Sequence, residues 1–156
     1  MAYTIPHYIK KNANSFPKDI AIREKKFGIW KTKDWKQCLE EIQNITLGLY
    51  SKGVIGKNTV AILGNNTPRW TLAEIAVQSL GSIPLGVYSD ALESEITYLI
   101  DYSKCRVIFV EDEEQADKVM SLPGSSSKID LIIFDEPKGM NKYNDKRLIS
   151  YKSLLC

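Results

Sequence analysis

The sequence predicts an α/β fold, a parallel sheet of about four strands with crossover helices, preceded by a short N-terminal β-hairpin. Three observations predict it. First, residues 59–90 read as strand, helix, strand. Val60, Ala61, Ile62 and Leu63 form an apolar run suited to a strand buried on both faces. Gly64, Asn65 and Asn66 are turn residues. Thr67 then serves as N-cap, with Pro68 at the first helical position, where no N–H is needed. Trp70, Ala73, Ala76, Val77 and Leu80 share one helical face, Gly81 stops the helix, and 83–87 is the next buried strand. Two parallel strands joined by a helix make one right-handed βαβ unit. Second, further strands at 107–110 and 131–134 alternate with helical patterns. Third, an Asp34/Gln37 capping pair opens a long amphipathic helix ahead of the whole series.

The elements justify themselves in order. Residues 3–14 suit a short helix with Tyr8 and Ile9 as its apolar members, broken by Phe16, Pro17, Lys18 and Asp19. Strands at 20–23 and 28–31 surround Glu24, Lys25, Lys26 and Phe27, a hairpin ending in Trp30. Its paired lysines read as a solvated turn rather than a phosphate patch. The next helix presents Trp35, Leu39, Ile42, Thr46 and Leu49 on one face and ends at Gly53. A Trp on such a stripe is core rather than a stacking platform. Asp90 and Glu93 form a capping pair before a helix whose apolar face is Ile96, Leu99 and Ile100, fading over 101–104. A shorter helix spans 113–122 with acidic residues in its first turn, favourable for the helix dipole. Pro123 to Lys128 reads as a linker, 136–146 is polar and irregular, and 148–155 begins a helix or a strand. No short internal repeat accompanies the alternation, and both polar stretches read as surface loops rather than domain boundaries.

Composition bounds the function. The chain has 156 residues. A domain of that size buries roughly 70% of its unfolded surface, so an independent core is feasible. Net charge is +2, too little to argue for nucleic acid or an anionic surface by bulk electrostatics. The first sixteen residues hold no apolar segment of signal-peptide length, and no stretch approaches the roughly 20 apolar residues of a membrane span. Cytoplasm is the expected compartment, with peripheral membrane contact left open. Cys38, Cys105 and Cys156 are odd in number and widely spaced, and His7 is the sole histidine. Neither a disulfide framework nor a zinc site is indicated. Cys38 and Cys105 read as small apolar filler, His7 as a terminal residue rather than a ligand.

Ligands of open α/β sheets sit at the carboxyl ends of strands. The candidates there are Gly64, Asn65, Asn66 and Thr67; Tyr88, Ser89 and Asp90; Glu111, Asp112 and Glu113; and Asp135 with Glu136. The first group precedes a helix N-terminus and could bind an anion through N–H groups, but Pro68 removes a donor and no GxGxxG is present. Gly56, Lys57, Asn58 and Thr59 fail as a P-loop, because Lys57 is not followed by Ser or Thr and the segment precedes a strand. The Pro123 to Lys128 loop follows a helix, which favours a linker over a phosphate cradle. Glu111 through Glu114 could hold a hard cation, yet adjacent carboxylates at a helix start are more often a solvated turn. No Ser/His/Asp arrangement can be built with His7 alone. Residue chemistry by itself names no reaction.

Resemblance adds one. The run Arg23-Glu24-Lys25-Lys26-Phe27-Gly28-Ile29-Trp30 resembles the REKDFGIW hairpin of bacterial long-chain acyl-CoA synthetases, members of the AMP-forming adenylating superfamily. The segment from Trp35 to Leu39 is similar to the first core motif, with Trp35 and Cys38 where Tyr and Glu are usual. Gly53-Val54, Val60 to Gly64, Asn66, Pro68 and Trp70 resemble the GV…VAILGDNRPEW stretch, and Leu80-Gly81 through Asp90 the second core motif. Glu95, Tyr98-Leu99, Ser103, Arg106-Val107, the run from Glu111 to Gln115 with Asp117-Lys118, and Phe134 to Gly139 follow the same template. So do Leu148 to Tyr151.

The likeness covers nearly the whole chain. It implies ATP, Mg²⁺ and coenzyme A as cofactors of a full-length enzyme that activates a fatty acid as acyl-adenylate and then forms its thioester. The family's phosphate loop, Mg²⁺-holding Glu, ribose-binding Asp, hinge and C-terminal lysine all lie downstream of the matching region. No catalytic, cofactor-binding or metal residue is therefore carried over onto this chain. The resemblance implies residues 1–156 as an N-terminal portion of the AMP-binding large domain, inactive alone, with no complete second domain and with its missing remainder or a second copy as partner. The alternative is a stand-alone binding or interaction module derived from that fold.

Overall fold

A computed structural model describes residues 3–124 and 128–155. Part of the predicted 123–128 linker and Cys156 lie outside the described residues.

Helix α1 (Ile5–Ser15) carries Pro6 in its first turn and ends at Phe16. Strands β1 (Ile20–Lys26) and β2 (Ile29–Asp34) form the antiparallel hairpin. Its turn is Phe27-Gly28 rather than residues 24–27: Lys26 pairs with Ile29, and the two turn residues have φ of 52° and 78°. That is the left-handed pair a two-residue type I′ turn demands. The first strand consequently runs three residues further towards the turn than the lysine-rich composition suggested, and the second starts one residue later and ends three later.

Helix α2 (Trp35–Ser51) starts as expected. The Asp34 carboxylate accepts from the Gln37 N–H at 2.8 Å, and the Gln37 side chain accepts from the Asp34 N–H at 3.0 Å. Its buried stripe is Cys38, Ile42, Ile45 and Leu49, so Ile42 and Leu49 face inward as expected while Cys38 and Ile45 replace Leu39 and Thr46, a turn of the inward face by about half a residue. Trp35 stays half-buried because it opens the helix beside the hairpin.

The sheet is parallel and has five strands in the order β4-β3-β5-β6-β7, formed by β3 (Thr59–Leu63), β4 (Ile83–Val87), β5 (Val107–Val110), β6 (Leu131–Phe134) and β7 (Leu148–Ser150). The fifth strand resolves the ambiguous tail: three residues extend the sheet beside β6, and α6 (Tyr151–Leu154) follows immediately. Strand β4 is an edge of the sheet and half-exposed, not fully buried. Pro84 is compatible with that place, since an edge strand tolerates a missing N–H.

Helices cover both faces. Val60, Ile62, Val107, Phe109 and Ile133 pack against α2, α3 (Pro68–Ser79) and α6. Ala61, Leu63, Ile108, Val110 and Ile132 alternate to the other face, against α4 (Glu93–Ser103) and α5 (Glu113–Met120). The period of two in each strand thus builds both cores from one apolar run.

Helix α3 begins as predicted, with Thr67 Oγ1 accepting from the Trp70 N–H at 3.2 Å. Its burial extends to Leu72 and Ile75, as expected of a helix wedged between α2 and the sheet. Helix α4 starts two residues later than an Asp90 cap would place it: Leu92 is its N-cap, and the Glu95 carboxylate reaches back to the Leu92 N–H at 2.8 Å. Lys104, with φ of 55°, ends it.

Two close approaches fix how layers meet. A Cβ on Gly48 of α2 would stand 2.2 Å from the Leu154 carbonyl oxygen, so α6 lies directly on the α2 backbone. A Cβ on Gly86 would stand 2.9 Å from the Trp70 ring, which packs against β4 there.

Candidate functional site

At the carboxyl ends of β3, β5 and β6 the structure gathers residues from three of the four predicted groups. Gly64, Asn65 and Thr67 follow β3, Glu111 follows β5, and Asp135 follows β6. Arg69 and Trp70 on α3 and Tyr151 on α6 complete the lining. The cavity, open to solvent on one side, measures about 30 Å³. That volume admits a water molecule.

Polar contacts hold the walls. Glu111 Oε2 accepts from the Asn65 N–H at 2.7 Å and from the Asn65 side-chain amide at 2.9 Å. The Ser89 hydroxyl donates to Asn65 Oδ1 at 3.1 Å, tying the β4 loop to the same wall. Gly64 is required there, since a Cβ would stand 2.8 Å from Glu111 Cβ. Arg69 Nη1 bonds Asp135 Oδ1 at 2.8 Å, and its guanidinium lies 4.6 Å from the Tyr151 ring centroid. Burial nevertheless pushes the Asp135 carboxyl up, against the pull of Arg69. The Tyr151 hydroxyl donates to Glu41 Oε1 at 2.8 Å, and Lys33 occupies Glu41 Oε2. Burial, and then the Glu41 charge, push the Tyr151 phenol well above its ordinary value. Trp70 Nε1 is buried and has no hydrogen-bond partner among the described residues.

The remaining candidates go elsewhere. Tyr88 and Asp90 are exposed. The acidic run is divided among separate partners: Glu111 holds Asn65, Asp112 caps α5 through the Gln115 N–H at 3.2 Å, Glu113 pairs with Lys142, and Glu114 pairs with Lys118 at 3.0 Å. Among the described residues no group of three or more His, Cys, Asp or Glu is placed to hold a metal ion. At the α3 N-terminus Pro68 has no N–H and the Trp70 N–H is taken by Thr67, which leaves a poor anion cradle. Cys38 and Cys105 are buried and free, and burial raises both thiols above their ordinary value, so they pack rather than react.

Sequence reasoning missed Arg69, Trp70 and Tyr151. The i to i+3 spacing of Thr67 and Trp70 was visible as a cap and stripe, but nothing local announces that α6 returns to α3. The opposite pole of the sheet was missed too. There a cleft of about 510 Å³ is lined by Lys52, Lys57, Lys104, Arg106 and Asp130. Lys52 and Lys104 cap the C-termini of α2 and α4, where a cation meets the negative end of the helix dipole. Arg106 makes a two-pronged pair with Asp130 at 2.5 and 2.6 Å, which holds that carboxyl below its ordinary value.

The comparisons assign this parallel sheet, with helices on both faces and an N-terminal hairpin, to a family. The profile described as "AMP-binding enzyme" matches residues 9–150. The chain belongs to that family. Human long-chain-fatty-acid–CoA ligase ACSBG2 is 26% identical over 123 residues, 79% of this chain and 18% of that protein. The crystal structure of the anthranilate CoA ligase AuaEII in complex with anthranoyl-AMP superposes with a TM-score of 0.83 at 16% identity, covering 98% of this chain and 28% of the other. Coronafacic acid ligase from Pectobacterium brasiliense gives 0.81 at 16% identity, covering 96% and 29%. The chain spans about a fifth of the length of the curated relatives it matches.

Proposed function

We propose that this chain is the N-terminal segment of the large domain of an ATP-dependent, AMP-forming fatty-acid CoA ligase. In that enzyme a carboxylate attacks the α-phosphate of ATP, releasing pyrophosphate, and the thiol of coenzyme A then displaces AMP. Residues 1–156 act as scaffold and form no acyl-CoA alone. The reading rests on coverage: the family match spans residues 9–150, the human long-chain ligase aligns with 79% of the chain and the adenylating-enzyme fold with 98%. The hydrogen bonds that Glu111 makes to Asn65 and Arg69 to Asp135 favour a wall-forming role for these strand-end residues.

A coupled assay for acyl-dependent pyrophosphate release tests this directly. The purified 156-residue chain is expected to show none with long-chain fatty acids, ATP and Mg²⁺. Release above the protein-free control would overturn the scaffold reading. Reading the transcript past the Cys156 codon tests the parent enzyme. A continuing frame with a Ser/Thr/Gly-rich loop ending in Lys is expected. A message without it, together with a thermal shift induced by AMP or CoA, would favour a stand-alone binding module.

A further inference from the structure

Basic side chains converge at the amino ends of the strands. The cleft of about 510 Å³ there is lined by Lys52, Lys57, Lys104 and Arg106, with Asp130 the one acid among them. Its size lies within the roughly 300–1,000 Å³ of small-molecule sites. The four cations come from the end of α2, the turn before β3, the end of α4 and the residue before β5. Only the assembled sheet brings them to one pole.

The backbone beneath them is fixed. The Lys52 and Gly53 N–H groups donate to the Leu49 and Tyr50 carbonyls at 3.0 and 2.9 Å, and the Cys105 N–H donates to the Ile100 carbonyl at 3.1 Å. Lys104 holds a left-handed conformation, φ of 55°, where helices commonly end on Gly. The charges are less committed. Arg106 is engaged by Asp130, but Lys52, Lys57 and Lys104 have no ion-pair partner among the described residues. The C-termini of α2 and α4 offset roughly half a charge each. With Asp130 counted as well, about two positive charges remain over the cleft.

We propose that this cleft binds a small phosphate-bearing anion. A phosphate monoester carries about two negative charges near neutral pH, which matches the charge left over. Its three terminal oxygens suit three ammonium groups, each a compact cation with several donors. A single carboxylate would leave a cation unmatched. A net charge of +2 over the whole chain argues against a polynucleotide, whose binding draws on many phosphate contacts. The cleft shares no lining residue with the strand-end cavity, so the inference stands apart from the ligase reading.

Two-dimensional NMR of the isotope-labelled 156-residue chain, titrated with methyl phosphate, tests it. Saturable shifts are expected at the amides of Lys52, Lys57, Lys104 and Arg106, and the affinity is expected to fall as salt is raised. Lys104→Gly suits the left-handed position, so it is expected to keep or raise the melting temperature while weakening binding about fivefold. Lys57→Gln is expected to weaken it similarly. Lys11→Gln removes the same charge from α1, away from the cleft, and is expected to bind like the parent. Where the frame continues past Cys156, the longer protein is expected to show the same Lys104→Gly loss in equilibrium dialysis. Four results would overturn the proposal: no saturable shift at low salt, parent-like binding by Lys104→Gly, equal weakening by Lys11→Gln, or a longer protein in which Lys104→Gly changes nothing. The last would mean that a downstream segment fills the cleft.

Discussion

Tyr151→Phe isolates the bond that fastens the last helix to the second. Tyr151 is 3% exposed, and its hydroxyl donates to Glu41 Oε1 at 2.8 Å while Lys33 satisfies the other oxygen. The substitution keeps the ring and its contact with Arg69 but leaves one carboxylate oxygen with no donor. A hydrogen bond to a charged group contributes about 1.5–3 kcal/mol when one partner is deleted. For a domain of this size that corresponds to a fall in melting temperature of about 4–9 °C. Urea denaturation of the 156-residue chain, followed by circular dichroism, measures the free energy. Glu41→Gln and the double variant complete a cycle, in which coupling of about 1 kcal/mol or more is expected for a direct contact. A loss below about 0.5 kcal/mol, with additive single effects, would refute the reasoning and mean that solvent already reaches Glu41.

Two further perturbations follow from the same geometry. Gly48→Val places side-chain atoms where the Leu154 carbonyl oxygen already stands, 2.2 Å from the added Cβ, and should cost about 1–3 kcal/mol in urea denaturation by displacing α6. An unchanged midpoint would show that α6 does not rest on α2. Asp135 has its carboxyl raised by burial in the fold, so the folded state binds a proton more readily than the unfolded chain. Its contribution to stability is therefore lost as pH rises from the ordinary Asp value through the raised one. Subtracting the stability profile of Asp135→Asn from that of the parent should show a falling difference across that window, and a rising one would reverse the sign assigned to burial.

What the sequence disclosed depended on how local the cause was. The Asp34/Gln37 box, the Thr67-Pro68 start and the β3 and β5 runs are set by neighbours in the chain, and each is found in its predicted place. The hairpin turn was misplaced because Phe27 in a left-handed conformation contradicts ordinary turn chemistry. Helix α4 begins at an apolar cap, Leu92, whose N–H is satisfied from inside the helix by Glu95, so the polar Asp90 offered a false start. The burial of β4 was overestimated because edge position is a property of strand order. At the site, Gly64, Asn65, Thr67, Glu111 and Asp135 were legible from the rule that strand carboxyl ends converge. Arg69, Trp70 and Tyr151 were not, because α3 and α6 meet there only after the whole sheet has assembled.

The contact of Gly48 with Leu154, and that of Tyr151 with Glu41 across 110 positions, also sets an order of events in time. The opening helix and the βαβ unit can organise from contacts close in sequence, which form early because little chain must be closed. The α2, α3 and Ile133 side of the sheet receives its final cover only when α6 returns from the far end of the segment. That layer is consequently the last to become watertight and the first to open. Unfolding of this segment is expected to begin where its two ends clasp.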